Sequence, residues 1–153
     1  MISEGQTAPD FTLPRDGGGS VTLSGFRPGK VVLYFYPKDD TPGCTLEAQD
    51  FNARLAEFAA AGTTVIGLSK DSVKSHDKFC RKHGLGIILA SDETGNVSEE
   101  YGVWSEKSMY GRTYMGIERT TVLVDGAGRV ARVWNKVGVK GHAAEVLAAA
   151  RAL

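Results

Sequence analysis

The sequence has little of what marks a membrane protein, a nucleic-acid binder or a disulfide-rich secreted domain. Its 153 residues carry 18 lysines and arginines against 18 aspartates and glutamates, so the formal net charge is zero. A chain of zero net charge has no general electrostatic attraction to nucleic acid or to an anionic membrane. The longest apolar run covers residues 31–36, far short of the ~20 residues that a membrane-spanning helix needs.

The first residues also lack the basic start and the apolar stretch of a signal peptide. Only two cysteines are present, Cys44 and Cys80, whereas disulfide-stapled domains are much denser in cysteine. We therefore expect a cytoplasmic protein in which residues 1–153 form one domain, since domains commonly have ~100–150 residues. In a reducing compartment, two isolated cysteines are either small buried apolar residues or reactive groups.

Strand and helix patterns alternate along the chain and predict an α/β fold. Residues 31–36 are apolar, β-branched and aromatic, which is typical of a strand buried on both faces. Further strands are predicted at residues 63–68, 87–90, 120–124 and 130–134. Helices are predicted at residues 41–62, 72–83, 94–101 and 143–153, the first with an apolar side of Leu46, Phe51, Leu55 and Phe58.

An N-terminal β-hairpin is predicted from residues 11–13 and 21–23, because three glycines between them permit a tight turn. Residues 109–117 show no clear period and are expected to be a loop. The order of elements fits a thioredoxin-like arrangement, in which helices flank a central mixed β-sheet.

Cys44 lies where a helix is predicted to begin, after a buried strand and a loop. Thr41 can cap that helix, and Pro42 can occupy its first position because no hydrogen bond is lost there. Free N–H groups and the positive end of the helix dipole would then favour thiolate over thiol. We therefore expect Cys44 to be a nucleophile, the alternative being a structural, half-buried thiol.

A helix dipole alone does not activate a thiol fully. Ionising about 90% of a thiol at pH 7 requires ~3.4 kcal/mol of differential stabilisation, and the dipole supplies ~1–2 kcal/mol. A further donor or cation is needed. Arg119 is the candidate because its guanidinium stays charged and has several donors, although an arginine at a strand end is more often simply exposed.

The segment lacks the second cysteine of a dithiol oxidoreductase. Such enzymes have cysteines at both ends of a four-residue motif, whereas Thr41 stands at the first position here. Thiol–disulfide cycling within this motif is therefore excluded. A single activated cysteine suits attack on an electrophile such as a peroxide oxygen, which gives a sulfenic acid.

Three short segments resemble the peroxiredoxin family. The pattern Pro-x-x-x-Thr-x-x-Cys at residues 37–44 matches its active-site motif, and Glu47 follows. The opening GQTAPDF at residues 5–11 and RTTVLVD at residues 119–125 are similar to the same family. The form TPGCT at residues 41–45 resembles the bacterioferritin-comigratory, or Q-type, branch. The resemblance extends over nearly the whole chain.

The resemblance implies a thioredoxin-like fold and the thiol-dependent reduction of hydrogen peroxide and organic hydroperoxides. By matching position, Cys44 would be the peroxidatic nucleophile. Thr41 and Arg119 would hydrogen-bond the peroxide and stabilise the thiolate, while Pro37 would shield the sulfur. The Q-type branch also implies a monomer that is reset by thioredoxin or a similar dithiol.

One position departs from many Q-type members, which have a second cysteine five residues after the first. That position is Gln49 here, and the other cysteine, Cys80, lies 36 residues after Cys44 (80 − 44 = 36). Another part of the branch resembles this arrangement, which implies that Cys80 resolves the Cys44 sulfenic acid as an intramolecular disulfide. Because a disulfide needs Cα atoms within ~7 Å, the helix start is expected to unwind.

Three alternatives stay open. Cys80 could be a structural thiol, so that Cys44 would act alone with an external thiol. His76, Cys80 and His83 share a predicted helix face and could, with Cys44, bind a metal, although zinc prefers close ligand pairs and these histidines have a plain surface interpretation. The chain could also be a non-enzymatic thioredoxin-like sensor or chaperone module.

No cofactor is expected, since no glycine-rich phosphate loop follows a strand and no haem-attachment motif occurs. The charged residues 38–40 are expected to be solvated. Tyr110, Tyr114 and Trp104 are candidates for an apolar mouth that admits bulky hydroperoxides, whereas Tyr34 and Tyr36 are expected in the core.

Overall fold

The computed structural model describes residues 1–153, and its helices and strands alternate along the chain. The elements are β1 (Thr12–Pro14), β2 (Ser20–Thr22), β3 (Lys30–Phe35), α1 (Pro42–Asn52), α2 (Leu55–Ala60), β4 (Thr63–Ser69), α3 (Val73–His83), β5 (Ile88–Ser91), α4 (Val97–Glu100), β6 (Trp104–Met109), β7 (Arg112–Ile117), β8 (Thr120–Val124), β9 (Val130–Trp134) and α5 (His142–Arg151). None of these helices has the length and apolar character needed to cross a membrane.

β3 lies at the centre of a five-stranded sheet with the order β5-β4-β3-β8-β9. β4 runs parallel to β3 and β5 runs parallel to β4, whereas β8 is antiparallel to β3 and β9 to β8. Two antiparallel ribbons, β1–β2 and β6–β7, lie outside this sheet. The mixed sheet and the N-terminal hairpin confirm the predicted thioredoxin-like α/β fold.

Alternate residues of β3 enter two separate hydrophobic cores. Val31, Leu33 and Phe35 belong to one core, together with the amino-terminal segment and the region of α4. Val32 and Tyr34 belong to the other core, together with residues of α1, α2, α3 and α5. Side chains alternate across a strand, so a strand between two layers must be apolar throughout. The prediction of a strand buried on both faces is confirmed.

The predicted helix over residues 41–62 is in fact two helices, because Arg54 leaves the α-helical region with φ −112° and ψ 9°. The expectation that Leu46 faces the core is also wrong, since this residue is 47% exposed. Leu46 and Phe51 are five positions apart, which turns their side chains ~140° around a helix. Of these two residues, only Phe51 therefore reaches the core.

Residues 109–117 form much of the β6–β7 ribbon and are not the expected loop. In this ribbon Trp104 pairs with Ile117, and Met109 pairs with Arg112. Most side chains on both of its strands are exposed or half-buried, so no buried face imposes an alternating apolar pattern on the sequence. Tyr110 lies at the turn and is 97% exposed.

Candidate active site

Cys44 lies in the first turn of α1, which begins with Pro42 directly after the loop that follows β3. Its side chain is only 1% exposed and packs in the core shared by α1, α3 and α5. The first turn of a helix has backbone N–H groups without partners inside the helix. The sulfur therefore lies where the helix favours negative charge, as the sequence predicts.

Arg119 reaches Cys44 from the short connection between β7 and β8. Its Nη2 donates to Sγ of Cys44 over 3.3 Å, and its Nη1 donates to Oε1 of Glu47 over 2.7 Å. β8 lies beside β3 with Thr120 paired to Phe35, which brings the residue before β8 to the end of β3 where the active-site loop starts. The Arg119 side chain is 17% exposed, so the interpretation as a solvated strand-end arginine is wrong.

Gly43 leaves room for this guanidinium. A Cβ atom on Gly43 would lie 3.3 Å from Nη2 of Arg119 and 4.0 Å from its Cζ. The first of these contacts is tighter than ordinary van der Waals packing, so a larger residue would push the guanidinium. The sequence shows a glycine in the motif but not what the glycine accommodates.

Glu47 is the buried partner of Arg119 on the next turn of α1. It is 1% exposed, and its second carboxylate oxygen, Oε2, is buried without a hydrogen-bond partner. Burial raises the pKa of Glu47 to about 7, although the charge of Arg119 opposes the rise. The carboxyl group therefore changes charge near neutral pH. Sequence reasoning missed this ion pair because its partners lie 72 positions apart.

Thr41 precedes α1 but does not cap it with its side chain, so that prediction is wrong. Its Oγ1 instead donates to the carbonyl oxygen of Lys38 over 2.8 Å. The hydroxyl thus turns back into its own loop, and its oxygen lone pairs remain able to accept a hydrogen bond. Pro37 is half-buried at the start of the same loop, immediately after β3.

Cys80 lies on α3, is half-buried, and is a free thiol like Cys44. Its Sγ donates over 3.9 Å to Oδ2 of Asp16, in the turn between β1 and β2. Burial raises the pKa of Cys80 to about 12, and the charges of Asp16, Asp39 and Asp77 add to the rise. In this conformation Cys80 is a protonated thiol that is not nucleophilic.

The two histidines of α3 have partners that sequence reasoning did not identify. His76 is fully buried against Asp39, and His83 contacts Asp40. The four proposed metal ligands therefore face different partners and do not converge, contrary to the metal-site alternative. Asp39 is itself only 8% exposed, so the expectation that residues 38–40 are all solvated is wrong for this residue.

Known proteins resemble the chain over nearly its whole length. A model of the AhpC/TSA family matches residues 4–133. Peroxiredoxin Bcp of Xanthomonas campestris is 49% identical over 143 residues, which cover 94% of this chain and 89% of the relative. Peroxiredoxin Bcp of Bacillus subtilis is 47% identical over 146 residues, which cover 95% of this chain and 93% of the relative.

Solved structures show the same likeness. Peroxiredoxin Q of Xanthomonas campestris has a TM-score of 0.91 at 46% identity and covers 97% of both chains. A cysteine-to-serine variant of PrxQ from Xylella fastidiosa has a TM-score of 0.94 at 40% identity and covers 99% of this chain and 97% of that one. The chain therefore belongs to the AhpC/TSA family, in its bacterioferritin-comigratory or Q-type peroxiredoxin branch, and is a thiol-dependent peroxidase.

Proposed function

We propose that Cys44 is the peroxidatic cysteine, and the observation that carries this assignment is its contact with Arg119. A sulfur at a helix start, 3.3 Å from a guanidinium nitrogen, has two sources of positive potential that stabilise a thiolate. The same guanidinium is already in place to stabilise negative charge that develops on a peroxide oxygen.

In the first step the Cys44 thiolate attacks one oxygen of hydrogen peroxide or an organic hydroperoxide. An S–O bond forms as the O–O bond breaks, and the other oxygen leaves as hydroxide or alkoxide and takes a proton from water. Thr41 positions the peroxide, because its hydroxyl donates to Lys38 and is free to accept the peroxide O–H. Pro37 shields the sulfur from water. The Xanthomonas campestris bacterioferritin comigratory protein, a solved relative, has alkyl peroxide reduction activity. This supports organic hydroperoxides as substrates here.

In the second step Cys80 resolves the sulfenic acid. Its thiolate attacks the Cys44 sulfur, an S–S bond forms, and hydroxide leaves and is protonated to water. Solved structures of Xanthomonas campestris peroxiredoxin Q include serine variants of two cysteines that are 36 residues apart, the separation of Cys44 and Cys80. Cys80 must first leave Asp16, since it is a protonated thiol there.

Thioredoxin or a similar dithiol then reduces the Cys44–Cys80 disulfide and is itself oxidised to a disulfide. In the thiol form, Cys80 borders an open groove of about 510 Å³ with Asp16, Gly17 and Arg81, which places this residue at the surface of the protein before the disulfide forms. We further propose that residues 1–153 act as one monomeric domain, because the contacts among Cys44, Arg119 and Glu47 all lie within one chain. A cytoplasmic location is proposed with it, because a reducing compartment keeps isolated cysteines as thiols.

The test is mass spectrometry after one equivalent of hydrogen peroxide, on the wild type, Cys80→Ser and Cys44→Ser. We expect the wild type to lose two mass units and yield a linked Cys44–Cys80 peptide. Cys80→Ser should retain an oxygen adduct on Cys44, and Cys44→Ser should not react quickly. A persistent adduct in the wild type would make Cys80 structural. Turnover of many peroxide equivalents with a dithiol would separate the enzyme from a sensor, which is oxidised once.

A further inference from the structure

The loop between β3 and α1 is held to α3 by two successive carboxylates. Oδ2 of Asp39 lies 2.7 Å from Nδ1 of His76. Oδ2 of Asp40 accepts a hydrogen bond from Nζ of Lys82 over 2.7 Å, and its Oδ1 lies 2.9 Å from Nε2 of His83. We name the Asp39–His76 pair the inner clasp and the contacts of Asp40 the outer clasp.

The inner clasp is a buried ion pair, whose side chains are 3% exposed for Asp39 and 0% for His76. Both ring nitrogens of His76 face acceptors, since Nε2 lies 3.0 Å from the carbonyl oxygen of Ala90 on β5. An acceptor at each ring nitrogen favours the imidazolium form of His76, which has two N–H donors. Burial lowers the pKa of His76, but the hydrogen bond and charge of Asp39, with Asp71 nearby, outweigh it and raise the pKa overall.

Other groups hold Asp39 in the same place. The hydroxyl of Tyr36, at the end of β3, donates to its Oδ1 over 2.5 Å, and Ser75 donates to its Oδ2 over 2.8 Å. The backbone N–H of Asp39 donates to Oδ2 of Asp71 over 2.9 Å. Such a network gives the loop a single position against α3.

The outer clasp lies nearer the surface, with side-chain exposures of 57% for Lys82, 38% for Asp40 and 17% for His83. Asp40 has a φ of 59°, a left-handed conformation that costs most residues energy and that, after glycine, aspartate and asparagine tolerate best. A strained residue persists only where its surroundings hold it. Here the side-chain contacts to α3 are what hold it.

The clasp joins the two segments that carry the two cysteines. Asp39 and Asp40 lie five and four residues before Cys44, while His76 lies four residues before Cys80 and His83 three residues after it. The two sulfurs nevertheless have partners on different elements, Arg119 for Cys44 and Asp16 for Cys80. Cys80 and Cys44 can therefore meet only after α1, α3 or both helices move. A turn or unwinding of α3 at Cys80 breaks the contacts of His76 and His83 on both sides of it.

We propose that the clasp of Asp39 and Asp40 on α3 gates disulfide formation, an inference that rests on the proposed resolving role of Cys80. While closed, the clasp keeps the loop before Cys44 in the conformation that reacts with peroxide. It must open before Cys80 reaches the sulfenic acid. Asp39, Asp40 and His76 are thus positioning residues. The stability of their contacts sets how long the sulfenic acid stays exposed to a second peroxide, which would oxidise it to sulfinic acid.

The outer clasp gives the cleaner test because it lies on the surface. In Asp40→Asn the left-handed backbone is preserved and the charge is lost. Rapid-quench mass spectrometry after mixing with peroxide measures both Cys44 oxidation and disulfide formation. We expect disulfide formation to be about 2- to 5-fold faster, with Cys44 oxidation within twofold of the wild type and less sulfinic acid at high peroxide.

The matched control is Glu57→Gln, which removes an exposed ion pair with Arg151 of similar length, 2.8 Å, away from α3 and its loop. The rates of Cys44 oxidation and of disulfide formation should both be unchanged in this variant. A double-mutant cycle of Asp40→Asn and Lys82→Gln gives a readout that general destabilisation would not produce. We expect the combined variant to form the disulfide no faster than Asp40→Asn alone.

The inner clasp is tested with Asp39→Asn combined with His76→Gln, which leaves no unpaired buried charge. Hydrogen exchange should show faster opening of α3 than in the wild type. If this variant does not fold, the double-mutant cycle of Asp40→Asn and Lys82→Gln alone tests the proposal. The gating role of the clasp would be overturned if Asp40→Asn formed the disulfide no faster than the wild type, or if the two substitutions had additive effects. Either result would leave the resolving role of Cys80 intact. Failure of the wild type to form a Cys44–Cys80 disulfide would overturn the resolving role as well.

Discussion

Arg119 donates a hydrogen bond to the sulfur of Cys44 over 3.3 Å, although the two residues lie 75 positions apart in the chain. The antiparallel pairing of β8 with β3 makes this contact possible, because it places the start of β8 beside the end of β3. A second guanidinium nitrogen, Nη1, donates to Oε1 of Glu47 over 2.7 Å. One planar cation therefore holds two residues of α1 at once.

The double contact of Arg119 predicts that lysine cannot replace it. A lysine ammonium lacks the planar fork and cannot donate to both Sγ of Cys44 and Oε1 of Glu47 in this geometry. Loss of one charged hydrogen bond costs about 1.5–3 kcal/mol, so Arg119→Lys should oxidise Cys44 about 10- to 100-fold more slowly. Stopped-flow kinetics with hydrogen peroxide measure this. Arg132→Lys on the surface is the control, and an Arg119→Lys rate within twofold of the wild type would refute the prediction.

The raised pKa of Glu47 predicts that the free energy of unfolding depends on pH. Its pKa rises from an ordinary 4.5 to about 7 in the folded protein, so the folded state binds this proton more tightly than the unfolded chain does. The stability linked to the proton is fully present below pH ~4.5 and is lost as the pH rises through about 7, a loss of about 3 kcal/mol at most.

Glu47→Gln should remove this component, and the comparison belongs in a Cys44→Ser background so that the thiol does not titrate. Relative to the background protein, the glutamine variant should gain roughly 2–3 kcal/mol in the free energy of unfolding between pH 4.5 and pH 8. Urea unfolding at several pH values measures the difference. A difference that stays constant with pH would show that Glu47 does not titrate in this range.

Gly43→Ala should separate stability from activity. Alanine favours a helix over glycine by ~1 kcal/mol, so the melting temperature should not fall. The added Cβ would lie 3.3 Å from Nη2 of Arg119 and would shift the guanidinium, which should slow Cys44 oxidation several-fold. Gly138→Ala is the control, since a Cβ there meets nothing within 4 Å. Unchanged kinetics in Gly43→Ala would mean that the guanidinium adapts without cost.

Asp16 should control the ionisation of Cys80. Burial is the main cause of the pKa of about 12, and the carboxylate of Asp16 is the next, so Asp16→Asn should lower the pKa of Cys80 while leaving it above its usual range. The measurement is the rate of Cys80 alkylation against pH in Cys44→Ser protein. Asp50→Asn, at a half-buried position of α1, should change nothing. An unaltered profile in Asp16→Asn would mean that alkylation occurs only after α3 opens.

Local patterns in the sequence determine much of the fold and indicate the proposed nucleophile. The unbroken apolar run of β3 requires layers on both faces of the sheet, and the core alternation of Leu33 and Tyr34 confirms this. A cysteine just after Thr-Pro-Gly requires a helix start at the sulfur, and α1 begins at Pro42. These features are predictable because each depends on residues close together in the chain.

What only the tertiary structure decided is how distant charges meet. Glu47 and Arg119, like Asp39 and His76, are ordinary charged residues in the sequence, where exposure is the default expectation. The sheet register and the packing of α3 bring them together in buried pairs. Burial then sets their protonation, because desolvation and a neighbouring charge act on a group only where the fold places it. The proposed chemistry of Cys44 could thus be expected from its neighbours in sequence, whereas the groups proposed to tune and gate it depend on neighbours in space.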